Sequence, residues 1–286
     1  MIALLLEPFG YQYMLRAIWV SALVGGVCAF LSCFLMLKGW SLMGDALAHA
    51  IVPGVALAYL LKVPYAAGAF FSGLLAALAM ALVRVRTQLR EDAVIGIVFT
   101  TFFAVGLLIV SINPTSVDVQ SIVLGNILGI SDEDVVQVAL IAAVSLVVLV
   151  ARWRDLMLVF FDENQARSVG LSPMRIKILF FVLLSACTVA ALQTVGAVLV
   201  IAMVITPGAT AYLLCDRFGR LICLAVALGV FTSAAGAYAS YFLDGSTGGL
   251  IVVFQTLLFL LAFVFAPKHG RLAAARAARA APEAGP

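Results

Sequence analysis

Asp45 and His49 stand four residues apart in the run SLMGDALAHAIVPG. A carboxylate and an imidazole at that spacing lie on one face of a helix, about one turn apart. Oxygen and nitrogen donors so placed suit a borderline divalent cation such as Mn²⁺ or Fe²⁺. The plain alternative is structural: Asp45 sits near a helix N-terminus, is stabilised there, and pairs with His49. Spacing alone leaves both open. Two donors do not complete a coordination sphere, so a metal site would draw the same pair from a second copy of the chain, or waters. Pro53 and Gly54, a turn later, would loosen this helix and expose backbone carbonyls to a pathway.

A second polar constellation is RWRDLMLVFFDENQARSVGLS, residues 152–172. It is too polar to span a membrane. From Asp162 it has an acidic pair with Glu163, a helix-compatible middle with Ala166 and Arg167, and Gly170 where a helix C-terminus favours a left-handed residue. A short helix lying on a membrane face fits, and so does an ordinary connecting loop. Gln193-Thr194 and Thr206-Pro207-Gly208 interrupt apolar runs and could line a path, although hydroxyls and proline kinks also occur in purely structural membrane helices. The run DGSTGG, residues 244–249, reads as an exposed turn. There is no GxxxxGK[ST] phosphate loop, so any ATP must be hydrolysed by a partner chain. The absence of HExxH and of a nucleophile elbow leaves a membrane-embedded hydrolase without support.

The elements that must position these residues follow from composition. Of 286 residues 65% are hydrophobic and only 11% charged, with a mean hydropathy of +1.18, against roughly 25% charged in a soluble domain. At ~20 apolar residues per span, this length holds roughly eight to ten spans and no separate soluble catalytic domain. Five cysteines in or beside apolar segments, without CxxC spacing, read as small buried hydrophobes. Nothing in the composition points to nucleic acid. The N-terminus lacks a basic region and a small-residue cleavage site, so the first span is expected to stay in the mature protein.

Apolar runs and breakers place helices near residues 14–37, 41–61, 65–84, 92–112, 132–151, 174–192, 195–215, 220–243 and 249–266. The expected fold is all-α: a polytopic transmembrane bundle of about nine helices, or eight if the sixth and seventh segments form one broken helix. Residues 1–266 form one membrane domain, and the Ala- and Arg-rich tail 267–286 is expected to be disordered. Of 17 Lys and Arg residues, Arg16 and Lys62 alone fall on one side of the nine-span arrangement. The positive-inside rule then puts the C-terminus in the cytoplasm and the N-terminus outside. Residues 113–130, with Gly125 and Gly129 at GxxxG spacing, are exported.

The runs KGWSLMGDALAHAIVPG, NPTSVDVQSIVLGNILGI, VFFDENQARSVGL, LQTVGAVLVIAMVITPGATAYLL and SYFLDGSTGG resemble, in this order, the permeases of bacterial manganese, zinc and iron ABC importers, nearest to the Sit/Yfe type that handles manganese and iron. The resemblance covers the chain except its tail. It implies an inner-membrane subunit that pairs with a second permease, the same chain or a related one, with a cytoplasmic ABC ATPase dimer, and with an external or periplasmic metal-binding protein. It further implies that Asp45 and His49 meet a transported divalent metal, with no permanently bound cofactor, and that Asp162 to Gly170 form the coupling helix docking into the ATPase. Rival expectations are a zinc permease of the same family, an ion-coupled secondary transporter with Asp45 as a proton relay, and an assembly subunit without a pathway.

Overall fold

The computed structural model describes residues 6–40, 42–112 and 131–266. The segment expected to be exported, 113–130, and the tail 267–286 lie outside the described residues, as does Ser41. Every regular element among the described residues is helical. A 3₁₀ turn, Glu7–Gly10, leads into α1 (Gln12–Lys38), followed by α2 (Met43–Ala50), α3 (Val52–Leu61), α4 (Tyr65–Arg86), α5 (Glu91–Ile112), α6 (Asp132–Phe161), α7 (Glu163–Ser168), α8 (Pro173–Val195), α9 (Ala197–Leu214), α10 (Phe218–Leu243) and α11 (Thr247–Phe265). Eight segments are long and apolar enough to cross a membrane, with α2 and α3 together making one of them, and α9 adds a shorter apolar stretch, Val200–Leu214. Among the described residues the eight qualifying segments with this shorter one come near the expected count of about nine.

Helix α1 is the axis of the bundle. It is apolar all round, and most of its residues are buried, the pattern of a helix enclosed on every side. Helices α6, α8, α9 and α10 pack around it. Its closest approach is to α10, where Gly25 faces Gly229: a Cβ added at Gly229 would lie 2.5 Å from the Gly25 carbonyl oxygen. Small residues let two backbones meet in this way. Gly54 of α3 and Gly68 of α4 do the same for their helices.

Caps explain the helix ends. Gly39 (φ 73°) ends α1, its N–H donating to the Met36 carbonyl while that of Trp40 donates to Leu35, a left-handed C-terminal motif. The Ser131 hydroxyl caps α6 by accepting from the Asp134 N–H, and Pro173 opens α8 at its first position. Between α8 and α9 only Gly196 is non-helical. Lys177 at the start of α8 and Tyr212 at the end of α9 lie at the same end of the bundle as Lys38 and Phe161. The two helices are therefore a tight hairpin, not one broken helix.

One boundary differs from expectation. α6 does not stop near residue 151 but continues for another ten residues to Phe161. Leu156, Val159 and Phe160 recur at helical spacing and bury against the bundle, and Arg152 pairs with Asp155 along the helix, Nη1 to Oδ2 at 3.0 Å. Polarity in 152–155 argues against a span, not against a helix.

Candidate functional site

Asp45 and His49 both lie on α2, a helix of only eight residues. It ends because Pro53 has no N–H to offer the His49 carbonyl. That carbonyl instead accepts from Ile51 N–H, and the Ala50 carbonyl accepts a 2.7 Å hydrogen bond from the Ser72 hydroxyl of α4. A neighbouring helix thus satisfies the broken ladder, as lipid requires. Pro53 and Gly54 are buried, and Gly54 serves the close α3–α4 contact.

His49 Nε2 stands 3.4 Å from Asp45 Oδ1. The side chains are 33% and 37% exposed, so each is held yet still open on one side of this chain. The imidazole lies among two rings of α5: Phe99, 5.4 Å away between centroids, and Phe103, 5.5 Å away and nearly edge-on. These rings restrict its orientation while leaving the pair accessible. Asp45 also occupies the first turn of α2 and His49 the last. Ligand pair and structural pair are one geometry here. Among the described residues no group of three or more His, Cys, Asp or Glu side chains is assembled, so the described residues of one chain supply two donors.

Helix α7 is built as its residues demand. Asp162 Oδ1 accepts from the Asn164 and Gln165 N–H groups at 2.9 and 3.1 Å, a side-chain N-cap. Gly170 (φ 83°) closes it, with Leu171 N–H donating to Ala166 and Gly170 N–H to Arg167. Ala166 is fully buried, while Asn164, Gln165, Arg167 and Ser168 face out, flanked by exposed Phe161 and Val169. Glu163 turns inward. Partial burial works against its charge, but the hydrogen bond from Lys177 and the charges of Lys177, Lys38 and Arg84 outweigh that and hold its carboxyl below the usual value.

The remaining sequence candidates lie elsewhere. Thr206 is half-buried and Pro207 buried within α9; with Thr210 they face Thr232 of α10 and Gln255 of α11, so the structure does not bring them to Asp45 and His49. Asp244 is exposed in a turn with φ 46°. Sequence reasoning missed Phe99 and Phe103, whose spacing places both on one face of α5 but names no partner. It also missed the clustering of Lys38, Arg84 and Lys177 on Glu163, because each was read only as a loop charge.

A model of the ABC 3 transport family matches residues 10–266. The chain is 72% identical over 273 residues to the chelated iron transport system membrane protein YfeC of Yersinia pestis, covering 96% of this chain and 93% of the relative. It is 51% identical over 272 residues to the manganese transport system membrane protein MntB of Synechocystis sp., covering 94% and 88%. Its fold matches a chain in the structure of PsaBC from Streptococcus pneumoniae in complex with Fab, with a TM-score of 0.83 and 34% identity over 94% of this chain and 98% of that one. Matched over nearly its whole length by the family model and by relatives above half identity, the chain is a multi-pass membrane protein that belongs to the ABC 3 transport family.

Proposed function

We propose that this chain is the permease subunit of an ABC importer that takes up divalent manganese or iron, and that Asp45 and His49 are the ligands the cargo meets on its way. The observation that carries the reading is the pair itself: a carboxylate and an imidazole 3.4 Å apart, on one face of a broken membrane helix and open on one side. Intramembrane ionisable side chains are costly enough to need a use, and this donor set suits manganese and iron. Relatives named for chelated-iron and manganese transport support the choice of cargo. A second permease, the same chain or a related one, offers a second pair and so a four-donor site at the contact between them.

Energy enters from a cytoplasmic ABC ATPase dimer docked on α7, whose outward face of Asn164, Gln165 and Arg167 between Phe161 and Val169 fits a groove on a protein surface. An external or periplasmic metal-binding protein delivers cargo at the opposite end. The gathering of Lys38, Arg84 and Lys177 at the end that holds α7 supports a cytoplasmic C-terminus and an external N-terminus. Alternating access follows: cargo enters between the permeases, meets Asp45 and His49, and leaves inward as the ATPase closes on ATP.

The test is accumulation of manganese and iron, each competed with zinc, in cells lacking this chain and complemented with native, Asp45→Ala or His49→Ala forms. Uptake lost at least tenfold in either variant, with normal membrane abundance, is the expected result. Unchanged uptake removes the site assignment, and zinc accumulation outrunning both other metals changes the cargo. An ATPase subunit should co-purify with the chain; its absence together with proton-dependent uptake would favour a secondary transporter.

A further inference from the structure

The charges inside the end that holds α7 form a connected device. Lys177 of α8 donates to Glu163 Oε1 at 2.5 Å, and the same oxygen lies 3.7 Å from Lys38 Nζ at the end of α1. Lys38 Nζ also donates to the Phe160 carbonyl at 3.4 Å. These three side chains are between 19% and 30% exposed, so solvent screens them less than it screens a surface pair. Glu163 is the counter-charge that lets two lysines share one site, and without it they repel.

Two residues beyond Lys38 is Trp40, 4% exposed. Its ring stacks on Phe181 of α8 at 5.7 Å, meets Phe160 of α6 edge-on at 5.5 Å, and carries the Arg84 guanidinium of α4 5.3 Å from its centroid. The Trp40 carbonyl accepts from the Met43 N–H at 3.1 Å, where α2 begins. Beside the ring is a cavity of about 240 Å³ whose lining includes Trp40, Met43, Met80, Arg84, Glu163 and Lys177. A close-packed joint cannot shift without strain, whereas a void edged by methionines lets neighbouring side chains repack.

We propose that Glu163, held by Lys177 and Lys38 above Trp40, is the latch that transmits movement of α7 to α2, and therefore to Asp45 and His49. The proposal rests on the reading of α7 as the ATPase docking element. Glu163 is a positioning residue: it touches neither cargo nor nucleotide. Its charge ties α7 to the ends of α1 and α8, and the Trp40 hub carries any displacement of those ends into the first turn of α2. Neutralising it leaves α7 capped by Asp162 but releases the lysines, so α7 moves without pulling α2.

The experiment uses the assembled importer in lipid vesicles, with Mn²⁺ as probe, and reads manganese ions moved per ATP hydrolysed. Glu163→Gln is expected to lower that ratio at least tenfold. Exchanging the charges, Glu163→Lys with Lys177→Glu, is expected to restore it to within about threefold of native, whereas a role in mere folding would lower transport and hydrolysis together and leave the ratio unchanged. If Glu163→Gln fails to assemble, Lys38→Met, which cuts the tie from Glu163 to α1 together with the Lys38 bond to the Phe160 carbonyl and leaves Lys177 on Glu163, is expected to lower the same ratio. A Gln165→Cys chain reports on docking separately by disulfide cross-linking to cysteines introduced on the ATPase. Cross-linking with an unchanged transport ratio in the Glu163→Gln or Lys38→Met chain overturns the latch; no cross-link at any ATPase position overturns the docking reading, and the latch with it.

Discussion

Glycine-to-alanine replacement should have opposite signs at Gly229 and Gly96. Both sit inside helices, where alanine gains about 0.5–1 kcal/mol over glycine through the unfolded chain's lost freedom. At Gly96 an added Cβ meets nothing within 4 Å, so that gain stands alone. At Gly229 it would lie 2.5 Å from the Gly25 oxygen, 2.6 Å from the Ala29 Cβ and 3.1 Å from the Gly25 carbonyl carbon. Ordinary contact begins near 3.4 Å, so α1 and α10 must separate by roughly 1 Å along a seam of backbone, at an overpacking cost of about 1–3 kcal/mol. The net expectation is stabilisation by up to about 1 kcal/mol for Gly96→Ala and destabilisation by roughly 1–2 kcal/mol for Gly229→Ala. Buried Cys28, Cys33 and Cys187 make natural reporters: with the more accessible Cys215 and Cys223 replaced by serine, a thiol-reactive dye in detergent will read the temperature at which the bundle opens. Gly229→Ala melting at or above the native chain would refute the close α1–α10 contact, and Gly96→Ala melting clearly below it would refute the open site on α5.

Asp162→Ala removes the side-chain cap of α7 and should cost that helix about 1 kcal/mol, seen as faster hydrogen exchange at the Asn164 and Gln165 amides with the bundle's melting nearly unchanged. Lys62 ends α3 with φ 54°, a conformation that costs a non-glycine residue about 1 kcal/mol or more, so Lys62→Gly should raise the melting temperature. Because the Glu163 carboxyl is held below its ordinary value of 4.5, its stabilising contribution is present above that pH and is lost as pH falls through its lowered folded value. The difference in melting between native and Glu163→Gln chains should therefore be steady near neutrality and shrink below about pH 4.5; a difference that grows on acidification would reverse the sign of the argument.

What could be read before the structure was local. Gly170 announces a left-handed helix end, Pro53 announces a loosened helix, and Asp45 with His49 share a face simply because four residues make about one helical turn. Each of these depends on residues within one turn of each other. The run 152–161 was misjudged for an equally physical reason: its charges exclude lipid, but Arg152 and Asp155 pair along a helix, and Leu156, Val159 and Phe160 extend a buried stripe. The ring contacts of His49 and the ties of Glu163 join helices distant in sequence, and spacing along the chain carries no signal for them.

The same division explains why α2 suits a moving part. Its eight residues are bounded by two interruptions of different kinds. At one end Gly39 turns the chain and Trp40 anchors it in a packed ring cluster. At the other, Pro53 breaks the ladder, and a hydroxyl from Ser72 holds the buried Ala50 carbonyl. A continuous helix would spread an applied displacement along the whole span, whereas a short one between two breaks moves as a unit. With Asp45 in its first turn and His49 in its last, a unit movement of α2 would carry both and would leave their 3.4 Å separation unchanged. Under the proposed reading, in which Asp45 and His49 meet the cargo, a carrier that holds its cargo in one state and releases it in another needs ligands on such an element, and the interruptions at Gly39 and Pro53 bound it.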